Sequence, residues 1–199
     1  MSDDETLRVY AERASEYAGL ALGNETAEDR AAFLAALPPG DGPVLDWGAG
    51  PGQDAAHMIA AGIACEDTDA SPEMVALAQA QGVPARCEPF EALDAEGVYR
   101  GIWANFSLLH ADPQTLPDLV RRAAGALVPG GILHIALKRG QGTKRDRLGR
   151  RYVYLEVDDL DRLTGQAGLE RQALRTGETV GLDGAAAAFL VHLSRKPDA

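Results

Sequence analysis

The sequence predicts an α/β domain with a mainly parallel β-sheet, and three observations support this fold class. From residue 44 onward, strand-like and helix-like segments alternate, as in parallel sheets whose strands are joined by helices. Residues 132–137 are apolar on both faces, which is typical of a central parallel strand. The chain has 199 residues, 46% of them hydrophobic and 25% charged, so it can enclose one sizeable core. We therefore expect a single domain over residues 1–199.

The first 39 residues are predicted to be helical. Apolar side chains recur at helical spacing over residues 6–22, and Gly23-Asn24 ends that segment. Thr26 is a suitable N-cap for a second helix that runs to residue 37. The segment 38–43 (Pro-Pro-Gly-Asp-Gly-Pro) interrupts helical structure and leads into an α/β core over residues 40–199.

The elements of the core follow in order, each defined by its apolar pattern and by the residues that end it. Gly62 ends the first core helix, Ser71 and Pro72 begin the next one, and residues 128–131 form a turn before the fifth strand. The last two strands are predicted to pair as an antiparallel edge. The predicted strands are 44–47, 63–69, 83–87, 98–104, 132–137, 169–174 and 186–193, and the predicted helices are 53–61, 71–80, 115–127 and 158–166.

Composition and charge argue against several classes of function. With 30 acidic and 19 basic side chains the net charge is −11, whereas nucleic-acid binding needs a basic surface. No apolar run reaches about 18 residues, so no membrane span is expected. The acidic start (Met1-Ser2-Asp3-Asp4-Glu5) is unlike a signal peptide. Cys65 and Cys87 are too few for a disulfide scaffold or a zinc site. We expect a cytoplasmic protein without a metal, and no feature indicates an oligomeric state.

A glycine-rich turn follows the first core strand, in the segment Asp46-Trp47-Gly48-Ala49-Gly50-Pro51-Gly52. Glycines at the end of a strand let a nucleotide-like ligand approach the backbone. Asp69 lies 21 residues after Gly48, at the expected end of the second strand. A carboxylate at that distance can accept hydrogen bonds from both ribose hydroxyls, so the spacing predicts a nucleoside-binding site.

The charge near this turn favours one nucleoside over another. A dinucleotide fingerprint would place a small residue where Gln53 stands. No Lys or Arg lies between Pro43 and Asp67 to help bind a pyrophosphate, and the same stretch contains several carboxylates. A negative field disfavours two phosphates and favours a cation, so S-adenosylmethionine, which carries a sulfonium and an ammonium group, is preferred over NAD.

Four segments resemble motifs of class I S-adenosylmethionine-dependent methyltransferases, in the correct order over roughly residues 40–140. They are the glycine-rich turn, Asp69-Ala70-Ser71-Pro72-Glu73-Met74, Ile102-Trp103-Ala104-Asn105-Phe106-Ser107-Leu108-Leu109-His110, and Leu127-x-Pro129-Gly130-Gly131. The resemblance implies a Rossmann-like, seven-stranded and mostly parallel sheet with an antiparallel last strand. It also implies helices on both faces and a helical lid formed by residues 1–39.

The resemblance also implies roles for individual residues. Gly48 and Gly50 would line the methionine part of the cofactor, Asp69 would hold the ribose, and the backbone at Asn105 would lie near the methionyl group. Adenine would meet Glu88 and Phe90, or else a backbone amide of this segment with Phe90 or Leu93 packing against it, because Pro89 stands where many relatives have Asp. The implied cofactor-binding residues are Asp46, Gly48, Gly50, Gly52, Asp69, Ala70, Glu88, Phe90, Asn105 and Tyr10, and the product would be S-adenosylhomocysteine.

His110 and a basic segment are the candidates for the acceptor side. His110, just after the fourth strand, would be a general base or substrate contact, or else a capping histidine. The segment 138–151 holds seven basic residues and one acidic one, so it carries +6 and the rest of the chain −17. Arginines clustered with tyrosines suit an anionic acceptor, whereas a solvated loop paired with the acidic bulk is the alternative. The predicted substrate residues, within a basic loop over 138–155, are Arg145, Arg147, Arg150, Tyr152 and Tyr154.

These observations predict a methyltransferase that acts on a small, anionic molecule by in-line transfer. The segment 146–152 (Asp-Arg-x-Gly-Arg-x-Tyr) is similar to one in small bacterial methyltransferases of the trans-aconitate and tellurite-resistance groups. A non-catalytic S-adenosylmethionine-binding or regulatory protein is the alternative, and an NAD-dependent oxidoreductase is a distant third.

Overall fold

The structure is a computed structural model that describes residues 3–19, 24–180, 184 and 186–198. The described residues before the sheet form the helices α1 (Asp4–Glu12), α2 (Ala14–Ala18) and α3 (Asn24–Ala36). One helix was predicted over residues 6–22, but a break at Arg13 separates α1 from α2. Residues 20–22 of that prediction lie outside the described residues. Asp3 caps α1, since its carboxylate accepts a hydrogen bond from the Thr6 N–H at 3.1 Å.

Strands and helices alternate from residue 44 onward, as predicted. Boundaries differ from the predicted ones by a few residues at most elements, and β5 and β8 are longer than predicted. The strands are β1 (Val44–Trp47), β2 (Cys65–Asp69), β3 (Ala85–Cys87), β4 (Tyr99–Asn105), β5 (Leu127–Lys138), β6 (Gly142–Arg145), β7 (Arg151–Tyr154), β8 (Glu170–Val180) and β9 (Ala186–Arg195), and the helices are α4 (Gln53–Ala60), α5 (Pro72–Ala80), α6 (Leu116–Ala126) and α7 (Val157–Gln166).

Seven of these strands form one sheet in the order β3-β2-β1-β4-β5-β9-β8. The pairs from β3 to β5 are parallel, and β9 is antiparallel to both of its neighbours. The predicted Rossmann-like sheet with an antiparallel last strand is therefore confirmed. The antiparallel strand lies inside the sheet, however, and the edge is formed by β8.

An apolar core lies on each face of the sheet because neighbouring residues of a strand point to opposite faces. On one face Phe33 of α3 and Met58 of α4 pack in the cluster that contains Trp103 of β4. On the other face Leu119 of α6 belongs to the cluster that contains Ile102 of β4. All of these side chains are fully buried. Helices thus cover both faces and leave the carboxyl ends of the parallel strands open.

The turn predicted at residues 128–131 is an irregularity within β5. Tyr99 pairs with Leu127 and Gly101 pairs with Ile132, so four residues of β5 lie opposite one residue of β4. Gly130 has φ +74°, a conformation that glycine adopts at little cost.

The basic segment, predicted to be a loop over 138–155, contains a β-hairpin. Strands β6 and β7 pair antiparallel as a separate two-stranded sheet. Between them Asp146 stabilises the connection, since its Oδ1 accepts hydrogen bonds from the N–H groups of Leu148 (2.9 Å) and Arg150 (3.0 Å). The prediction counted charges and missed that Tyr152 and Val153 bury apolar surface.

None of the described helices has the length and apolar character that a membrane span requires.

Candidate active site

A cleft opens at the carboxyl ends of β1, β2 and β4. Its volume is about 900 Å³ when its open mouth is included. Strand β1 lies between β2 and β4, so the strand order runs one way from β1 to β3 and the other way from β4 to β5. Open α/β sheets bind ligands at the point where the strand order reverses. The predicted cofactor residues that line the cleft are Tyr10, Gly48, Gly50, Asp69, Ala70, Glu88, Phe90 and Asn105. Lining residues that the sequence interpretation did not single out for the cofactor or the acceptor include Thr6, Leu7, Tyr17, Gln53, Asp54, Met74 and Phe106.

Asp69 lies at the end of β2 with its carboxylate fixed by the backbone. Its Oδ2 accepts a hydrogen bond from the Gly50 N–H at 2.9 Å, and its Oδ1 accepts one from the Ser71 N–H at 2.8 Å. A carboxylate has about four acceptor positions, so each oxygen keeps one position for a ligand. Burial raises the pKa of Asp69, and the bonds from Ser71 and Gly50 oppose that rise.

The glycine-rich turn is shaped by close approaches as well as by positive φ angles. Gly48 has φ +77°, and a Cβ there would lie 2.5 Å from Cβ of Ser107 and 2.9 Å from Cε1 of Phe90. Gly52 has φ +79°, and a Cβ there would lie 2.7 Å from Cβ of Ala78 in α5. Gly48 therefore lets the turn pass between cleft residues, whereas Gly52 packs the turn against a helix and does not line the cleft.

Asp46 also lies outside the cleft lining, in contrast to its predicted contact with the cofactor. It is 3% exposed and pairs in register with Asp67 of β2, which is 1% exposed. Burial raises the pKa of Asp46 well above its usual range, and the Asp67 carboxylate raises it further. Burial and the neighbouring carboxylates, first that of Asp69, raise the pKa of Asp67 to about 7. The pair forms an acidic layer beneath the turn.

Asp54, in the first turn of α4, connects the cleft to α3. It pairs with Arg30 and accepts hydrogen bonds from Trp103 Nε1 at 3.0 Å and Asn105 Nδ2 at 3.3 Å. Both members of the ion pair are about nine-tenths buried. The sequence interpretation counted Asp54 only as negative charge near the turn; its place in the first turn of the helix after the glycines could have marked it as a lining residue.

The cleft lining is acidic. Asp54, Asp69 and Glu88 contribute carboxylates, of which Asp54 is paired with Arg30 and Glu88 with Arg86, and none of the described residues that line the cleft is Lys or Arg. Such a field favours a ligand with positive charge. Among the described residues, no group of three or more His, Cys, Asp or Glu side chains is arranged to hold a metal ion.

Tyr10 and His110 face each other across the other end of the cleft. The Tyr10 hydroxyl lies 2.8 Å from His110 Nε2, and His110 Nδ1 lies 2.8 Å from the carbonyl oxygen of Arg151. A carbonyl only accepts, so Nδ1 carries the hydrogen and Nε2 accepts from Tyr10. Burial lowers the pKa of His110 to about 3, and the ring is therefore neutral near pH 7.

The comparisons with known proteins agree with this geometry. Residues 44–131 match the family model described as a methyltransferase domain. The CcbJ methyltransferase of Streptomyces caelestis superimposes with a TM-score of 0.74 at 19% identity, over 98% of this chain and 100% of that one. An S-adenosylmethionine-dependent methyltransferase of Methanosarcina mazei superimposes with a TM-score of 0.74 at 16% identity, over 83% of this chain and 97% of that one. No protein of curated function matches the sequence.

The chain has the fold of class I S-adenosylmethionine-dependent methyltransferases. A third structure with this fold is the 1,6-didemethyltoxoflavin-N1-methyltransferase of Burkholderia thailandensis, with bound 1,6-didemethyltoxoflavin and S-adenosylhomocysteine. Its TM-score is 0.65 at 24% identity, over 90% of this chain and 92% of that one. That structure shows the fold in complex with S-adenosylhomocysteine, the product form of S-adenosylmethionine.

The cleft of this methyltransferase fold suits that cofactor on three counts. The Asp69 carboxylate keeps two acceptor positions, which matches the two hydroxyls of a ribose. The described lining is acidic, which matches a sulfonium and an ammonium group. At Gly48 a side chain would fill the space between Ser107 and Phe90.

The predicted substrate residues lie elsewhere in the methyltransferase fold, since none of the five is among the described residues that line the cleft. Arg145 pairs with Asp3 at 2.7 Å and with Glu5 at 3.2 Å. Arg150 pairs with Asp146 at 2.7 Å. Arg147 is exposed. These charges are in part neutralised by carboxylates of α1 and of the hairpin, as the alternative interpretation of a paired basic segment predicts.

The two tyrosines of the hairpin stand behind the cleft. Tyr152 is 4% exposed, and its ring lies 4.8 Å from the His110 ring, centroid to centroid. The ammonium of Lys138 lies 3.8 Å from the centroid of the Tyr152 ring. Tyr154 is half-buried beside Lys144, whose ammonium is 5.4 Å from its ring centroid. Tyr152 thus supports His110 from behind.

Phe106 was missed by the sequence interpretation although it lines the cleft directly after β4. Its φ angle is +52°, and among the described residues it is the only non-glycine residue with a positive φ. A bulky side chain in that conformation costs about 1–3 kcal/mol, and such strain is concentrated at functional sites. Periodicity alone does not reveal it, because the strain is a property of the backbone.

Proposed function

We propose that the protein transfers the methyl group of S-adenosylmethionine to a small molecule and releases S-adenosylhomocysteine. The observation that carries this proposal is the Asp69 carboxylate, which is fixed by two backbone N–H groups and directed into an acidic cleft. Asp69 would hold the ribose. Gly48 and Gly50 would line the methionine part, Asn105 would lie near its amino group, and Glu88 and Phe90 would border the adenine.

When bound, S-adenosylmethionine supplies an electrophilic methyl group, which a nucleophile of the acceptor attacks in line with the departing sulfur. The chain's own residues supply alignment and the exclusion of water, which account for most of what such a transfer requires. Thr6, Leu7 and Tyr10 of α1 and Tyr17 of α2 line the cleft from above the strands. We infer that these helices form a lid over the reacting atoms.

We propose that His110 takes up the proton of an acceptor that begins protonated. Its neutral ring has a lone pair on Nε2, and that lone pair accepts the Tyr10 hydrogen in this structure. Proton uptake therefore requires Nε2 to exchange the Tyr10 hydroxyl for the acceptor's O–H or N–H group. Both residues line the same end of the cleft, so a small movement of α1 suffices for that exchange.

The charge of the acceptor is the part of the sequence interpretation that we revise. An anionic acceptor was predicted from Arg145, Arg147 and Arg150, and the described lining offers it no cation. We infer instead a neutral acceptor with an O–H or N–H nucleophile. Membership of the trans-aconitate and tellurite-resistance groups and a cytoplasmic location stay predictions.

The test combines binding and transfer. Calorimetry should show one molecule of S-adenosylhomocysteine bound per chain, and NADH should not compete for the site. Labelled S-adenosylmethionine should then pass its methyl group to members of a panel of neutral phenols and amines, with matched carboxylates as the anionic arm. Absence of S-adenosylhomocysteine binding contradicts the proposal. Binding without transfer to any member favours the non-catalytic alternative, and transfer only to carboxylates restores the anionic acceptor.

A further inference from the structure

A buried ion pair lies behind the acceptor end of the cleft. Arg150 is 2% exposed, and its Nε and Nη2 donate to Asp146 Oδ2 at 2.9 Å and 2.7 Å. Removing two charges from water costs several kcal/mol per ion, so a buried pair is weak evidence for a contribution to stability. The location of this pair at the tip of a hairpin therefore calls for another explanation.

The third donor of the guanidinium points to the cleft. Arg150 Nη1 donates to the Tyr10 hydroxyl oxygen at 3.2 Å, and its guanidinium carbon lies 5.3 Å from the ring centroids of both Tyr10 and Tyr152. The Tyr10 hydroxyl in turn contacts His110 Nε2 at 2.8 Å. Two consecutive residues of the hairpin thus hold the Tyr10–His110 pair from both ends, because the Arg151 carbonyl accepts from His110 Nδ1.

The chemistry of these groups fixes the direction of each bond. A guanidinium only donates, so the Tyr10 oxygen accepts from Arg150 and its own hydrogen is left for His110 Nε2. A carbonyl only accepts, so His110 Nδ1 must carry the ring hydrogen. The chain of bonds is consistent only when His110 is neutral and protonated on Nδ1.

We propose that Arg150, held by Asp146, is a positioning residue that acts through Tyr10. It orients the Tyr10 hydroxyl as the donor to His110 Nε2, so that His110 stays neutral with its hydrogen on Nδ1. This inference deepens the proposed function and rests on it for the role of His110. It replaces the predicted direct contact between Arg150 and an anionic acceptor.

The test follows the ¹⁵N chemical shifts of the His110 ring nitrogens as the pH is varied, by NMR of protein labelled with ¹⁵N-histidine. It therefore needs no acceptor. His110→Gln assigns the signal among those of His57, His134 and His192. The first variant is Tyr10→Phe. The second is Arg150→Met combined with Asp146→Asn, which leaves no unpaired buried charge and keeps an oxygen for the two N–H groups that Asp146 caps. Arg147→Met, at an exposed position of the same hairpin, is the matched control.

In the wild type, His110 should be protonated on Nδ1 and should not titrate between about pH 5 and pH 8. Tyr10→Phe should raise the pKa of His110 by about one unit or more, since Nε2 becomes accessible to water. The double variant should raise it by at least about half as much, and adding Tyr10→Phe to it should raise the pKa no higher than Tyr10→Phe does alone. The charges of Arg150 and Lys138 lower the pKa of His110, and the charge of Asp146 raises it. Removing the charges of Arg150 and Asp146 together therefore leaves the local field little changed.

A purely structural role would lower the melting temperature of the double variant and leave the His110 titration as in the wild type, and that result would overturn the proposal. An equal shift in Arg147→Met would overturn it as well. If the double variant does not fold, Arg150→Lys replaces it, since a lysine keeps a cation for Asp146 but lacks the fork that also reaches Tyr10; an unshifted His110 in that variant overturns the proposal. Loss of S-adenosylhomocysteine binding in the wild type would contradict the proposed function while leaving this measurement intact.

Discussion

The acidic layer beneath the glycine-rich turn and the basic hairpin of β6 and β7 are both concentrations of one charge, and they use that charge in opposite ways. In the acidic layer Asp46 and Asp67 are buried side by side, and Asp69 directs a carboxylate into the cleft. In the hairpin Arg145 and Arg150 are paired with carboxylates of the same chain. Charge in the first region is available to a ligand, whereas charge in the second region holds protein segments together.

A run of charges therefore has no functional meaning until its partners are known. Burial and mutual repulsion raise the pKa values of Asp46 and Asp67, so these two carboxyls carry less than their full charge, whereas Asp69 directs its carboxylate into the cleft. The arginines of the hairpin lie next to α1, whose first turn contains Asp4 and Glu5 and whose cap is Asp3. The predictions that follow challenge this contrast, beginning with the largest expected effect.

Gly50→Val should abolish binding of S-adenosylhomocysteine, with a loss of affinity of about a hundredfold or more. Gly50 has φ +57° and faces the cleft, where a Cβ would lie 3.6 Å from Cε1 of Tyr17. Gly62→Val is the matched control. It imposes a similar strain at φ +83°, but its Cβ would meet no atom within 4 Å. Calorimetry that finds equal affinities for the two variants would show that the turn does not border the cofactor.

Asp67→Asn should stabilise the protein at neutral pH, because the buried carboxyl has its pKa raised to about 7 in the folded state. The unfolded carboxyl has a pKa of about 3.9, so the folded state binds more protons between about pH 4 and pH 7, and stability falls as pH rises through that window. At pH 8 the variant should unfold with a free energy about 1–3 kcal/mol higher than that of the wild type. Urea unfolding at pH 5 and pH 8 measures it, with the exposed Asp41→Asn as control. An increase in the free energy of unfolding at pH 5 equal to that at pH 8 would show that the stabilisation does not come from the raised pKa of Asp67.

The sequence was sufficient to predict the sheet and much of the lining of the cleft. Strand periodicity, the Gly48–Gly50 turn and Asp69 are local features, and the fold places them predictably at the carboxyl ends of parallel strands. The partners of Arg145 and Arg150 could not be predicted, because Asp3 and Tyr10 are about 140 residues away along the chain. The strain at Phe106 depends on backbone angles that no pattern of side chains encodes.

Arg145→Met should have the smallest effect, a local loosening of α1. The pair with Asp3 is partly exposed, so salt screens it. Amide hydrogen exchange in residues 4–12 should be faster in the variant than in the wild type at low salt. This difference should disappear near about 1 M salt. The exposed Arg147→Met should exchange like the wild type. A change in Arg147→Met as large as that in Arg145→Met would mean that the hairpin does not hold α1 through this pair.

The most direct test of the central claim is the affinity of Asp69 variants for S-adenosylhomocysteine. Each charge-assisted hydrogen bond to the ribose contributes about 1.5–3 kcal/mol, so Asp69→Ala should weaken binding at least about tenfold. Asp69→Asn keeps one acceptor oxygen, so its affinity should lie between that of Asp69→Ala and that of the wild type. The control Asp94→Ala, at an exposed position, should bind like the wild type. Circular dichroism should show all of these proteins folded. Unchanged affinity in folded Asp69→Ala would remove Asp69 from the site and contradict the proposal that this cleft binds S-adenosylmethionine.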